Sequence, residues 1–208
     1  MTADPAQEFQ KILAALRDVG FLLVSDRAFP SVGGLITGGP VKGSWWSHPL
    51  AHTIFGVNEL LEDHVNVLIC KLVDGKVTFV DRTMWANVFA VATCGEEWQT
   101  DGLSSTAKTL LKQLQKEKRL DTTTLSSLKG KKIGDVTREL EQRLLIHSEQ
   151  IHTSSGAHAK IIETWESWAD RVRLNVRQTD PGEAKLFLEN HVKEINRKFG
   201  SNARLPWR

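Results

Sequence analysis

The sequence predicts an α+β protein: an N-terminal helix–hairpin α/β region, then a winged helix-turn-helix domain, then a C-terminal helix. Three observations predict it. Apolar residues recur at helical spacing over 5–19 and again over 183–199. Residues 65–80 read as two strands around Asp74-Gly75, a strong two-residue turn signal. From residue 103 the order is helix, short helix, helix, hairpin, which is the order of a winged helix. The expected units are an N-terminal α+β domain over 1–98, a winged-helix DNA-binding domain over 103–175, and a basic C-terminal helix and tail over 176–208. A chain of 208 residues is long enough for one large core or two small ones.

Each element has its own signal. Phe9, Ile12, Leu13, Leu16 and Val19 form the apolar face of the first helix, and Gly20 ends it. Residues 21–24 read as a short strand. Residues 30–40 hold four glycines and two prolines and read as a flexible or close-approach segment. Trp45 and Trp46 are adjacent, so on a strand they point to opposite faces. Pro49 suits the first turn of a helix that runs to about Asp63, with Ser47 or His48 near its cap. A further helix is expected over 82–93, and the polar stretch 95–102 is the candidate domain boundary. Beyond it, Ser104 opens a helix, 122–128 forms a short one, 129–132 is a basic turn, and 134–143 is a third helix. Residues 145–152 and 157–165 then pair as strands across the turn at 153–156.

The charge is nearly balanced overall, 27 basic against 25 acidic residues, which excludes a histone-like polycation and an acidic disordered tail. It is not evenly spread. Residues 1–95 hold seven basic and nine acidic residues, while 176–208 hold seven and four. Residues 108–132 contain eight basic side chains and only Glu117 and Asp121 as acids. Such local density suits phosphate binding through counterion release, although a solvated helix face is the plainer alternative. Laid on a winged helix, the run makes double-stranded DNA the expected partner, with Lys129, Lys131, Lys132, Arg138 and Arg143 facing phosphate. His152 and His158 flank the wing turn and join that set.

The segment 33–52 combines glycines with Trp45, Trp46, His48 and His52. One Trp can belong to the core while the other stacks on a flat nucleobase; both can equally wedge between domains. His48 and His52, one helical turn apart, can relay protons, or can simply cap and half-bury. Pro49 stands where a zinc-protease pattern needs Glu, and no third ligand is near, so no metal is expected. The glycine pairs lack the ending of a phosphate-cradling loop, so no nucleotide cofactor is expected. Cys70 and Cys94 are too few for a disulfide framework and read as buried free thiols. No apolar run reaches the length of a membrane span and no signal peptide is visible, so a cytoplasmic chain without an obligatory protein partner is expected.

Gly43-Ser44-Trp45-Trp46-Ser47-His48-Pro49, Lys71-Leu72-Val73-Asp74-Gly75-Lys76-Val77-Thr78-Phe79-Val80 and His152-Thr153-Ser154-Ser155-Gly156-Ala157-His158 resemble a family of mostly uncharacterised bacterial proteins, over roughly residues 20–170. Through that family the chain resembles winged-helix DNA glycosylases, including ones used against phages with modified DNA. The resemblance implies excision of a modified or damaged base by base flipping. No catalytic residue is carried over from the resemblance. On chemistry alone, His48, His52, Asp81 and Lys71 are the candidate catalytic groups: proton carriers, a water-directing carboxylate, or a lyase-type amine. Lys42, Trp45, Trp46, Lys76 and Arg82 are the candidate nucleic-acid contacts around that pocket. The alternative is a non-catalytic winged-helix transcriptional regulator with an N-terminal sensing or dimerisation domain; a partner-binding module with an incidental basic face is a third reading.

Overall fold

A computed structural model describes residues 4–125, 132–152, 158–175 and 179–208. Helices mix with two small antiparallel sheets, so the chain is α+β. Helix α1 spans Pro5–Val19. Asp4 caps it by accepting from the Ala6 N–H, Pro5 stands at its first turn, and Gly20, at φ 80°, closes it. The first sheet has the order β1-β3-β2, with β1 Phe21–Leu23, β2 Val67–Val73 and β3 Lys76–Asp81. Asp74 and Gly75 take φ values of 52° and 64°, the left-handed pair that a tight hairpin turn requires.

Strand alternation divides the apolar residues of this sheet between two cores. Leu22, Val67 and Phe79 face α1 and helix α3, Ala51–Glu62. Phe21, Leu23, Leu68 and Val80 face the opposite side, where α4, Trp85–Ala92, and α9, Pro181–Phe199, cover them. Strand β2 breaks its alternation. Cys70 pairs with Thr78 and Val73 with Lys76, so β2 carries one extra residue between them. The bulge sends both Leu72 and Val73 into the same core, and Lys71 precedes them in the shifted stretch.

The second sheet has the order β4-β6-β5, with β4 Arg119–Asp121, β5 His147–His152 and β6 His158–Glu163. Helices α6, Ser105–Glu117, and α7, Ile133–Gln142, enclose its core, centred on Leu110, Leu114, Leu140 and Ile162. Ser104 caps α6, and Glu139 of α7 accepts from both the Ser104 N–H (2.7 Å) and its hydroxyl (2.8 Å), which ties the two helices together. The two sheets also share a core. Leu144, Trp165 and Trp168 pack with Leu68, Val80 and Trp85, and the Trp165 indole N–H donates to the Leu144 carbonyl at 2.8 Å.

Several local expectations change. Residues 30–40 contain a short helix, α2, Val32–Thr37, capped by Ser31 and closed by Gly38 at φ 75°. Its glycines allow close approach: a Cβ at Gly33 would lie 3.3 Å from the Val24 carbonyl. Trp45–Ser47 is a 3-10 turn rather than a strand, so the two indoles stack on one another instead of facing apart. The stretch 95–102 is not an open linker. It holds α5, Glu97–Thr100, whose Gln99 is fully buried and donates to the carbonyls of Ala92 and Arg143. Strand β6 ends at Glu163, short of the expected Trp165, and Thr164 caps a helix, α8, Trp165–Arg171. Residues 122–125 form a turn, and the rest of the expected short helix lies outside the described residues. Cys70 and Cys94 are free thiols, half-buried rather than buried. Among the described residues no helix is long and apolar enough to cross a membrane.

Candidate functional site

A cleft of about 780 Å³ opens between β2 and β5. Its walls include Lys71, Glu141, His147, Ser148, Glu149 and Lys160, with the edges of Trp85 and Trp168 behind them. Arg82, Arg171 and Arg173 also line it, as do Glu59, Glu62 and Asp63 from the C-terminal end of α3. The bulge of β2 delivers Lys71, the buried face of α7 delivers Glu141, and the pleat of β5 delivers His147 and Glu149.

Glu141 is 4% exposed and remains a carboxylate. Burial by itself would raise its pKa; Lys160, the Ser148 hydroxyl and Lys71 more than offset this and hold it below the usual carboxylate range. Its Oε1 accepts from Ser148 Oγ at 2.6 Å and from Lys160 Nζ. Its Oε2 is buried without a hydrogen-bond partner, and Lys71 Nζ lies 3.6 Å from it. A buried carboxylate oxygen that receives no hydrogen bond is uncommon. The Lys71 ammonium is itself disfavoured, by burial first; Glu141 counters that in part, while Lys160 and Arg138 add to it.

Beside this group lies a second one. His147 Nδ1 is 3.0 Å from Glu163 Oε1, and both side chains are buried. The imidazole lies against the Trp165 and Trp168 rings. Arg171 donates to Glu163 and also to Glu149, which Arg119 approaches at 3.7 Å. Burial raises the Glu163 pKa, but the bonds from His147 and Arg171 overcome that and bring it down to about 2. His147, Glu149 and Glu163 offer donor atoms within 4.8 Å of one another, the spacing of a metal site. The Arg171 guanidinium already bridges the two carboxylates, so a metal ion would have to displace it.

The sequence-derived candidates scatter. Lys71 and Arg82 line the cleft, and Arg82 lies over the Trp85 ring at 4.9 Å. Asp81 does not line it: its carboxylate accepts from the Thr83 N–H (3.0 Å) and hydroxyl (2.7 Å) and caps the turn Arg82–Met84. His48 accepts from the Leu50 N–H at 3.1 Å, and His52 is exposed on α3. Trp45 and Trp46 stack at 4.0 Å between centroids, with Trp46 60% exposed and Phe55 beside it. Lys42 is exposed. Lys76 is held by Asp26 and Asp74, in a smaller pocket. Lys132 and Arg138 are exposed at the start and on the outer face of α7. Arg143 is half-buried and donates to the Trp98 carbonyl at 2.8 Å. Lys129 and Lys131, and the side chains of His152 and His158, lie outside the described residues.

Sequence reading missed Glu141, His147, Glu163 and Arg171. One signal was present: Glu141 neighbours Val136, Thr137 and Leu140 on the buried face of α7, and a charge on a core face calls for partners.

The model of the AlkZ-related family matches residues 6–202, so the match covers both sheets and the cleft between them. The chain belongs to the AlkZ-related family. Membership relates it to AlkZ DNA glycosylase-like proteins and implies interaction with DNA. No curated protein and no solved structure matches the chain.

Proposed function

We propose that this protein excises a modified or damaged base from double-stranded DNA, with the cleft between β2 and β5 receiving the flipped-out nucleotide. The observation that carries the reading is Glu141, a buried carboxylate whose Oε2 receives no hydrogen bond, in a cleft lined by both basic and acidic side chains. Breaking the C1′–N bond leaves positive charge on the sugar. A carboxylate facing that charge stabilises it and directs a water to C1′. Lys160 and Ser148 fix one oxygen and leave the other for the reaction. Arg82 and Arg173 supply positive charge for the flanking phosphates.

The grip on the duplex is assigned to residues 103–175. A helix, a strand, a second helix and a hairpin whose sheet runs β4-β6-β5 support the winged-helix reading. On it, Lys132 and Arg138 face outward with Lys108, Lys112 and Lys116, which recur every fourth residue along the exposed face of α6. A turn-spaced row of lysines of this kind suits a phosphate backbone.

The test is incubation with duplexes carrying alkylated, oxidised or phage-type modified bases, followed by alkali cleavage at any abasic site. Strand breaks at the modified base are expected; their absence across the whole panel, with tight DNA binding, contradicts the reading. One observation favours the regulator alternative. Each of Glu141, Glu149 and Glu163 has a cationic partner, and such a network can also serve only to join two sheets.

A further inference from the structure

From the cleft geometry we infer that Lys71 is a nucleophile that forms an imine with C1′ of an abasic deoxyribose and cuts the strand on its 3′ side. The inference rests on the reading that the cleft receives a deoxyribose, but its chemistry is separable from base release.

Two lysines meet Glu141, and they are not equivalent. Lys160 is anchored, because its ammonium donates directly to Oε1. Lys71 stands 3.6 Å from Oε2, beyond hydrogen-bond distance, and its side chain is 18% exposed on the cleft wall. Its amine is therefore close to a proton acceptor without being tied to it. Lys71 lies in the stretch of β2 where the register shifts, between Cys70 and Val73. Burial favours its neutral, nucleophilic form.

The steps balance without any further reagent. Lys71 passes a proton to Glu141 Oε2, and the freed amine lone pair attacks the C1′ aldehyde of the ring-opened sugar. Glu141 returns that proton to the carbinolamine oxygen, which leaves as water and gives the protonated imine. Glu141 Oε2 then removes a proton from C2′. That C–H electron pair becomes the C2′=C3′ double bond, and the 3′ phosphate departs with the C3′–O pair and takes the proton from Glu141. Water hydrolyses the imine, releases the unsaturated aldehyde and restores Lys71 as its ammonium.

The test uses the full chain and a duplex with a preformed abasic site, in the presence of sodium cyanoborohydride. The wild-type protein is expected to become covalently attached to the DNA, and proteolysis with mass spectrometry is expected to place the adduct on Lys71. Lys71→Ala and Lys71→Arg should each lower adduct formation and strand cleavage by about a hundredfold. Lys11→Ala, a surface change on α1, should leave both unchanged. Adduct mapped to another lysine, undiminished adduct in the Lys71 variants, or no adduct with wild-type protein overturns the inference. Base release without adduct overturns the lyase and leaves the excision reading intact. Adduct on Lys71 without release of any modified base supports the lyase and overturns excision.

Discussion

Glu163 is 1% exposed and still carries its charge, because His147 and Arg171 both bond to it. Its pKa falls from an ordinary value of 4.5 to about 2. A carboxyl with a depressed folded-state pKa contributes stability that is fully present above the unfolded value and lost as pH falls toward the folded one. Glu163→Gln is therefore expected to cost about 3 kcal/mol at neutral pH, with the gap to wild type closing between pH 4.5 and pH 2. Urea unfolding across that range reads it; a gap independent of pH would show that the charge is not what the pair stabilises. Glu141 differs in kind. It too is buried and ionised, but one of its oxygens has no donor, so its arrangement is incomplete in a way that Glu163's is not.

At the scale of elements, Asp81 separates structure from chemistry. As the cap of the turn Arg82–Met84, it is expected to cost about 1 kcal/mol when changed to Ala, without loss of base release per folded molecule. Thermal melts and a release assay check this; a fall in release at unchanged stability would return Asp81 to the catalytic set. Gly33→Ala is likewise expected to lower stability by about 1 kcal/mol, because the new methyl meets the Val24 carbonyl at 3.3 Å. Unchanged melting would mean that α2 shifts away from β1 freely.

The elements most legible in the sequence were those with long periodic patterns or a decisive turn. Helix α1 between Asp4 and Gly20 and the hairpin around Asp74-Gly75 appear where the pattern puts them. Helix α2 was hidden, because glycines chosen for close approach to β1 look locally like a loop. Helix α8 was hidden because Trp165 and Trp168 extend the apolar character of the preceding strand. The site was only half legible. Lys71 and Arg82 could be named from local chemistry, but Glu141, His147, Glu163 and Arg171 converge only through tertiary packing of α7, β5, β6 and α8. The Trp and His residues around 45–52, conspicuous in composition, line no part of that cleft.

Across the whole molecule, a nearly neutral chain gathers its basic residues locally. If Lys108, Lys112 and Lys116 track a DNA backbone, replacing all three with Ala should reduce the slope of log K against log salt by about 2 to 3. Fluorescence anisotropy with an unmodified duplex measures that slope; an unchanged slope would assign DNA to another face. The cleft lies between the sheet that supplies Lys71 and the sheet that supplies His147, so neither half of the chain holds the site alone.

Base excision by this cleft is measured by single-turnover base release with saturating protein, wild type beside Glu141→Gln, on a duplex carrying a modified base. The expected result is equal DNA affinity with release slowed about a hundredfold in the variant. Equal release by both proteins would remove Glu141 from the reaction and contradict the account.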